Sequence, residues 1–198
     1  FYQKGLPAAG TFEQMYLSLR EKENRIFPDE IVKNLPDVPN DHPLKKEWGM
    51  RKLTLKRLLH YLVAATRGRH SSILELGCGN GWLSNHLATI ENTEVLGMDV
   101  NERELLQAAR VFSGRKNLCF AYADILNAIL PHQHFDFIVL AASLQYFRNL
   151  DELFEKLVQF LAPAGEIHII DTPFYSRTEL SSAQARSQEY FINTGFEQ

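Results

Sequence analysis

The stretch SILELGCGNGWLSNHL, residues 72–87, sets a short apolar run against three glycines at alternate positions, Gly77, Gly79 and Gly81, ahead of a helix-like segment. A strand-to-helix turn rich in glycine permits positive φ and lets backbone N–H groups approach a ligand. In an open parallel sheet that first turn lies at the binding crevice. Glycine-rich turns also arise for structural reasons alone, so the neighbouring residues decide. A dinucleotide fingerprint aligned on Gly77 and Gly79 needs a small residue at position 82, which is Trp82. Glu75, two residues before the first glycine, opposes a pyrophosphate and suits a ligand bearing positive charge. A ligand with an ammonium and a sulfonium, plus a carboxylate for the loop amides, fits the pair better.

Working outward, further apolar runs at 95–98, 118–123, 135–140 and 167–170 join 73–76, separated mostly by helical stretches long enough for crossovers. Their continuous rather than alternating hydrophobicity marks strands covered on both faces, which predicts an α/β, Rossmann-like, doubly wound, mostly parallel sheet with helices on both sides. A helix is expected from Thr54, with Leu55, Leu58, Leu59, Leu62 and Val63 at helical spacing and Gly68 as terminator. Asn101 with Glu104 forms a capping-box-like start for the next helix. Asn149 or Asp151 starts another, whose apolar face is Leu153, Phe154, Leu157, Val158 and Leu161 and whose end is set by Pro163 and Gly165. A last helix is predicted over 181–196, closed by Gly195. Before this domain, taken as 51–198, residues 1–50 read as a proline-interrupted arm or lid, with a short helix over 12–20.

Bulk properties exclude several classes. The 198 residues are 45% hydrophobic and 23% charged, an ordinary globular composition. With 21 Lys+Arg against 24 Asp+Glu the net charge is -3, with no long basic block, so nucleic acid is not the expected partner. No run is long enough to span a bilayer and residues 1–20 carry no signal-peptide pattern. The chain reads as soluble and cytoplasmic, acting on a small-molecule substrate. Its 2 cysteines, Cys78 in a loop and Cys119 in a strand taken as buried, suit reduced thiols. The first residue is Phe1 rather than Met, which reads as a trimmed chain.

Two more acids sharpen the site. Asp99 ends the second strand, where a carboxylate accepts both hydrogen bonds from a ribose diol, and Asp124 follows the third strand, where it can accept from the exocyclic amine of adenine. Each alone reads more readily as a strand-end cap or a solvated loop residue; their succession at neighbouring strand ends is harder to dismiss.

At these residues the chain resembles the class I S-adenosylmethionine-dependent methyltransferases, over about 54–172. LELGCGNG resembles the family's glycine motif, VLGMDV its ribose-binding strand end, AYADI its adenine turn, FDFIVLAASLQYF its fourth-strand segment, and GEIHIIDTP behind LAPAG its fifth strand. The resemblance implies S-adenosyl-L-methionine as cofactor. The implied binding set is Glu75, Gly77, Cys78, Gly79, Gly81, Asp99, Val100, Asp124, Ile125, Ala141 and Gln145. Of these, Glu75, Gly77 and Gly79 would hold the methionine portion, Asp99 the ribose, Val100 a face of the adenine, and Asp124 with the Ile125 amide its edge. Ala141 and Gln145 would lie near the methionine amine and the methyl group. The family's last two strands are missing here, through truncation or replacement, and the exposed sheet edge would need covering by the arm or a partner.

The expected function is methyl transfer to a small-molecule acceptor of unknown nucleophile. The alternatives are a nicotinamide-dependent oxidoreductase, against which Trp82 and Glu75 weigh, and a non-catalytic cofactor-binding regulator. No particular catalytic residue is demanded; Tyr146, His42 and Trp48 are candidates at the acceptor, each with a stronger reading as pocket wall, solvated loop and hydrophobic anchor respectively. His132 and His134 form an H-x-H without the further ligands a metal needs, so no metal is expected. Cys78, lacking an evident histidine partner, reads as a small residue between glycines. Lys52, Lys56 and Arg57 read as the polar face of the first helix, with contact to an anionic acceptor as the alternative.

Overall fold

The continuous apolar runs pair into a six-stranded sheet of order β1-β4-β3-β2-β5-β6 in the computed structural model, which describes residues 2–3 and 11–194. The strands are β1 (Tyr2–Gln3), β2 (Ser71–Leu76), β3 (Thr93–Asp99), β4 (Leu118–Tyr122), β5 (Phe135–Ala141) and β6 (Leu161–Ile170). Every pairing is parallel. The helices are α1 (Thr11–Lys22), α2 (Asp29–Asn34), α3 (Lys45–Thr66), α4 (Trp82–Leu87), α5 (Glu102–Val111), α6 (Leu150–Phe160) and α7 (Leu180–Thr194).

Two apolar layers explain why the strands lack polar alternation. On one face Leu55, Leu58 and Leu62 of α3, Leu83 and Leu87 of α4, and Leu105 and Ala108 of α5 pack against Ile73, Val95, Phe120 and Val139. On the other, Leu153, Leu157 and Phe160 of α6 pack against Leu74, Leu76, Met98, Ile138 and Leu140. A strand with both faces buried must be apolar throughout. Two helix starts follow the expected chemistry: the Asn101 side chain accepts from the Glu104 N–H, and Asn149, not Asp151, accepts from Glu152.

Several elements depart from the sequence reading, each because distant contacts outweigh local pattern. Helix α3 begins at Lys45 and runs through the 50/51 boundary drawn between arm and domain. Its first turn is polar, and Trp48 is buried there in the core, with the Phe27 and Trp82 ring centroids 5.8 and 5.3 Å away. It ends at Thr66, with Arg67 left-handed before Gly68. The arm contains the unforeseen α2, and Phe27, Val32, Leu35 and Val38 join the core under α3. Helix α6 ends at Phe160, and Leu161–Ile170, Pro163 and Gly165 included, forms β6; a register shift opposite Phe135/Phe137 absorbs the irregular start. Cys119 is exposed, not buried, on a strand flanked outward among the described residues only by the two-residue β1. The arm covers the β4 edge through β1, while β6 has a strand partner on one side only among the described residues. Gly195, expected to close the last helix, lies outside the described residues.

Candidate functional site

Reading along the sheet, β2, β3 and β4 step one way and β5 and β6 the other, so the strand order reverses between β2 and β5. Crevices open beyond the carboxyl ends of strands at such a reversal. A cavity of about 570 Å³ occupies that place, within the range of roughly 300–1,000 Å³ of small-molecule sites. Its floor comes from the loop after β2 (Gly77, Cys78, Gly79, Asn80), the ends of β3 and β4 (Asp99, Val100, Asp124, Ile125) and the turn after β5 (Ala141, Ala142, Ser143). Its outer wall comes from the arm and α3: Tyr16, Arg20, Arg25, Phe27, Trp48 and Arg51.

Of the residues named from sequence, Glu75, Gly77, Cys78, Gly79, Asp99, Val100, Asp124, Ile125 and Ala141 line this one cavity. Two do not. Gly81 caps α4 at φ 74 and packs against α5 and β4, and Gln145 is exposed with its side-chain amide donating to the Ala142 carbonyl at 2.7 Å. The loop is held by its own hydrogen bonds. Gly77 N–H and Cys78 N–H donate to the Met98 carbonyl at 2.8 and 3.1 Å, and Gly79 N–H donates to Asp99 Oδ2 at 2.7 Å. Those amides already have acceptors in the protein, so the loop is less an anion cradle than a support for an acidic floor. At Gly77 a Cβ would meet Ser143 Cβ at 2.4 Å, which makes glycine obligatory for this close approach of the two switch-point loops.

Electrostatically that floor calls for a cation. Glu75 is buried, accepts from the Ser84 hydroxyl, and is pushed up to about 8 by burial, with Asp99 adding to the rise against the Ser84 hydrogen bond. Burial likewise raises Asp99, against hydrogen bonds from the Gly79 and Asn101 amides. Glu104 rises to about 7, through burial and then the Asp99 charge, with Arg20 and Tyr16 opposing. These folded values lie above the unfolded reference of about 4.3. The folded chain therefore holds more protons than the unfolded one between pH ~4 and ~8, and the contribution of these groups, fully present at the acidic end, is lost as pH rises. Accordingly, Glu75→Gln, which stays neutral and keeps an acceptor for Ser84, should melt progressively higher than the unmodified chain as pH rises from about 5 to about 8. A melting-temperature gap independent of pH would show Glu75 to be ionised throughout.

Glu104 and the arm residues were not legible as site residues. Glu104 had a sufficient local role in the Asn101 cap, and nothing near 16–27 in sequence points to a cavity formed beyond residue 75. Of the acceptor-side candidates, Tyr146 lines the cavity, half exposed, 5.8 Å from the Tyr16 ring, and Trp48 is its buried wall. His42 is elsewhere: its Nδ1 accepts from the Leu44 N–H and its ring packs on Phe27. His132 and His134 pack on Phe160 and Phe135, and among the described residues no cluster of His, Cys, Asp and Glu is placed to hold a metal. Lys52 pairs with Asp37 at 2.6 Å. Among those residues no helix is long and apolar enough to cross a membrane.

Fold and cavity together define a doubly wound α/β protein with an acid-floored cavity at its switch point. Comparison with known proteins carries this further. Residues 73–165 match the family model described as a methyltransferase domain. A malonyl-[acyl-carrier protein] O-methyltransferase of Bacillus cereus is 26% identical over 140 residues, 68% of this chain and 51% of that protein. A Pyrococcus horikoshii structure, 23% identical, superposes with TM-score 0.60 over 85% of this chain and 71% of its own. An S-adenosylmethionine-dependent methyltransferase of Aquifex aeolicus, 21% identical, superposes with TM-score 0.55 over 81% and 88%. The match over residues 73–165 and the shared fold support placing the chain among the class I S-adenosylmethionine-dependent methyltransferases. It spans about half the length of the curated relatives it matches.

Proposed function

We propose that the chain binds S-adenosyl-L-methionine in the switch-point cavity and transfers its methyl group to a small molecule. The observation that carries this reading is the convergence of Glu75, Asp99 and Asp124, from three successive strand ends, on one cavity. The acids fit the group: buried carboxylates raised by desolvation are stabilised by a cationic ligand, and Asp99 at a strand end is the acceptor a ribose diol needs. Glu75, Gly77, Cys78 and Gly79 would border the methionine portion, Asp99 the ribose, Val100 the adenine face, and Asp124 with Ile125 its edge. Ala141 and the adjoining Ala142 and Ser143 replace Gln145 at the methyl end in this assignment, because they line the cavity and Gln145 does not. When bound, the cofactor supplies a methyl group already activated on a sulfonium.

What remains for the protein is to orient the acceptor and exclude water, and orientation is worth up to about 7–11 kcal/mol. Tyr16, Phe27, Trp48 and Tyr146 shape the acceptor side, which supports reading residues 1–50 as a lid. Tyr146 is the hydroxyl-bearing candidate for proton transfer there. Relatives differ in what they act on: the names of two assign malonyl-[acyl-carrier protein] and ribosomal RNA. The net charge of -3 favours a non-nucleic-acid acceptor, and two free cysteines favour the reducing cytoplasm.

Thermal melting tests the reading. S-adenosylhomocysteine at 100 times its dissociation constant adds about 2.7 kcal/mol, raising the midpoint by roughly 5–11 °C for a domain of this size. A rise with NAD and none with S-adenosylhomocysteine would replace this proposal by the dinucleotide alternative. Release of S-adenosylhomocysteine from S-adenosylmethionine over a panel of hydroxyl, amine, thiol and carboxylate acceptors then separates enzyme from regulator.

A further inference from the structure

Strand β2 lies between β3 and β5 in the sheet, so the glycine loop that follows it is flanked by the start of α5, after β3, and by the turn after β5. Tyr16 of α1 touches both flanks. Its hydroxyl donates to the Glu104 carboxylate on α5, and its ring stands edge-on to Tyr146 after β5, with centroids 5.8 Å apart. Glu104 in turn leans over the loop: its Oε2 lies 3.4 Å from where a Cβ would stand at Gly79, and Asn101 Nδ2 donates to it at 3.2 Å. A side chain with one end on each flank crosses above the loop between them. Tyr16, Gly79, Glu104 and Tyr146 accordingly line the same cavity.

Helix α1 has little apolar hold on the body of the protein. Of its side chains described, 16–22, none is fully buried. The chain is pinned just beyond the helix, where Arg25 donates to both oxygens of Glu47 on α3 at 2.7 Å each and pairs with Glu23 at 3.0 Å, and where Tyr190 of α7 donates to Glu23. An element held by polar contacts rather than by buried apolar area opens at low cost. At the cavity end the polar contact is the Tyr16 hydroxyl, and it is made ready for that role. Arg20, one turn on, lies 4.8 Å over the Tyr16 ring and hydrogen-bonds the hydroxyl, while burial and then the Glu104 charge push the phenol up, so that it stays a donor.

We propose that Tyr16 and Glu104 form a clasp that closes the arm over the bound cofactor, so that the arm, by opening at this hydrogen bond, sets how fast S-adenosylmethionine enters and its demethylated product leaves. This rests on the cofactor reading of the cavity, because Glu104 stands beside Asp99 and Gly79, the residues assigned to the ribose and the methionine portion. Tyr16 is thus a positioning residue. Its hydroxyl fastens the arm on the cofactor side and its ring meets Tyr146 on the acceptor side, so one closure encloses the cofactor and completes the acceptor wall.

Radiolabelled S-adenosylhomocysteine, chased from the chain with excess unlabelled ligand, tests it. Tyr16→Phe, which removes the hydroxyl and keeps the ring on Tyr146, should speed dissociation about tenfold, the effect of losing one hydrogen bond to a charged group. In a Glu104→Ala background the same substitution should have no further effect, because its partner is already gone. The ligand should also slow tryptic cleavage after Arg20 and Lys22 in the unmodified chain, and do so about tenfold less in Tyr16→Phe, a readout that a role confined to packing does not move. Should Glu104→Ala fail to fold, Tyr16→Phe and the proteolysis decide without it. An unchanged dissociation rate in Tyr16→Phe, the same acceleration in both backgrounds, or equal protection of the two chains from trypsin would overturn the clasp. Failure of S-adenosylhomocysteine to bind the unmodified chain would instead overturn the function on which the clasp rests.

Discussion

Asp99→Ala should weaken S-adenosylhomocysteine binding about 100-fold in calorimetry, with the fold retained. Asp99 closes β3 at the cavity floor, and its carboxylate accepts from Gly79 N–H at 2.7 Å and Asn101 N–H at 2.9 Å. Hydrogen bonds to a charged group are worth about 1.5–3 kcal/mol each, so losing the pair proposed for a ribose diol, less what water recovers, amounts to about 2.8 kcal/mol, or two decades. The two backbone donors freed by the substitution border the cavity and can be hydrated there, which is why circular dichroism should be unchanged. Near-normal affinity would remove the ribose assignment and leave Asp99 as a brace for the glycine loop.

Gly81→Ala should produce the largest loss of stability at any glycine of the loop that lies off the cavity wall. Gly81 has φ +74, and a Cβ there would stand 2.7 Å from the Phe120 ring and 2.8 Å from Ala108 Cβ. Left-handed backbone costs an L-residue about 1–2 kcal/mol, and overpacking a filled core about 1–3 kcal/mol. About 3 kcal/mol lowers the melting temperature by roughly 6–12 °C at this chain length. Gly68→Ala is the matched control, since Gly68 has φ +73 with nothing within 4 Å of the added carbon. It should show the backbone part alone. Equal shifts at the two positions would mean that Phe120 and α5 yield without cost, and that the third glycine is needed for conformation only.

The glycine turn and the three acids could be read from residues 71–125 because each signal there is local. Buried strands announce themselves by unbroken hydrophobicity, and Asn101 and Asn149 by the side-chain oxygen that satisfies a helix's free N–H groups. The arm failed this kind of reading. Its short helices carry little periodicity, and Phe27 and Trp48 are buried in a core they share with Trp82, far along the chain, with Trp48 in ring contact with both. Glu104 was hidden differently. A residue with one sufficient local role, as the partner of Asn101, gave no sign that its carboxylate also borders the cavity.

The sequence by itself determined the parallel sheet, the site of its first turn and the acids at three strand ends, since a strand needs only its neighbours in the chain to declare its faces and its end. Tertiary structure alone decided that α3 starts at Lys45, that the arm and α3 wall the cavity with Arg25, Trp48 and Arg51, and that Gln145 turns away from it. The physical reason is that burial, desolvation and charge pairing depend on what lies across the cavity, and chain order does not record which groups meet there.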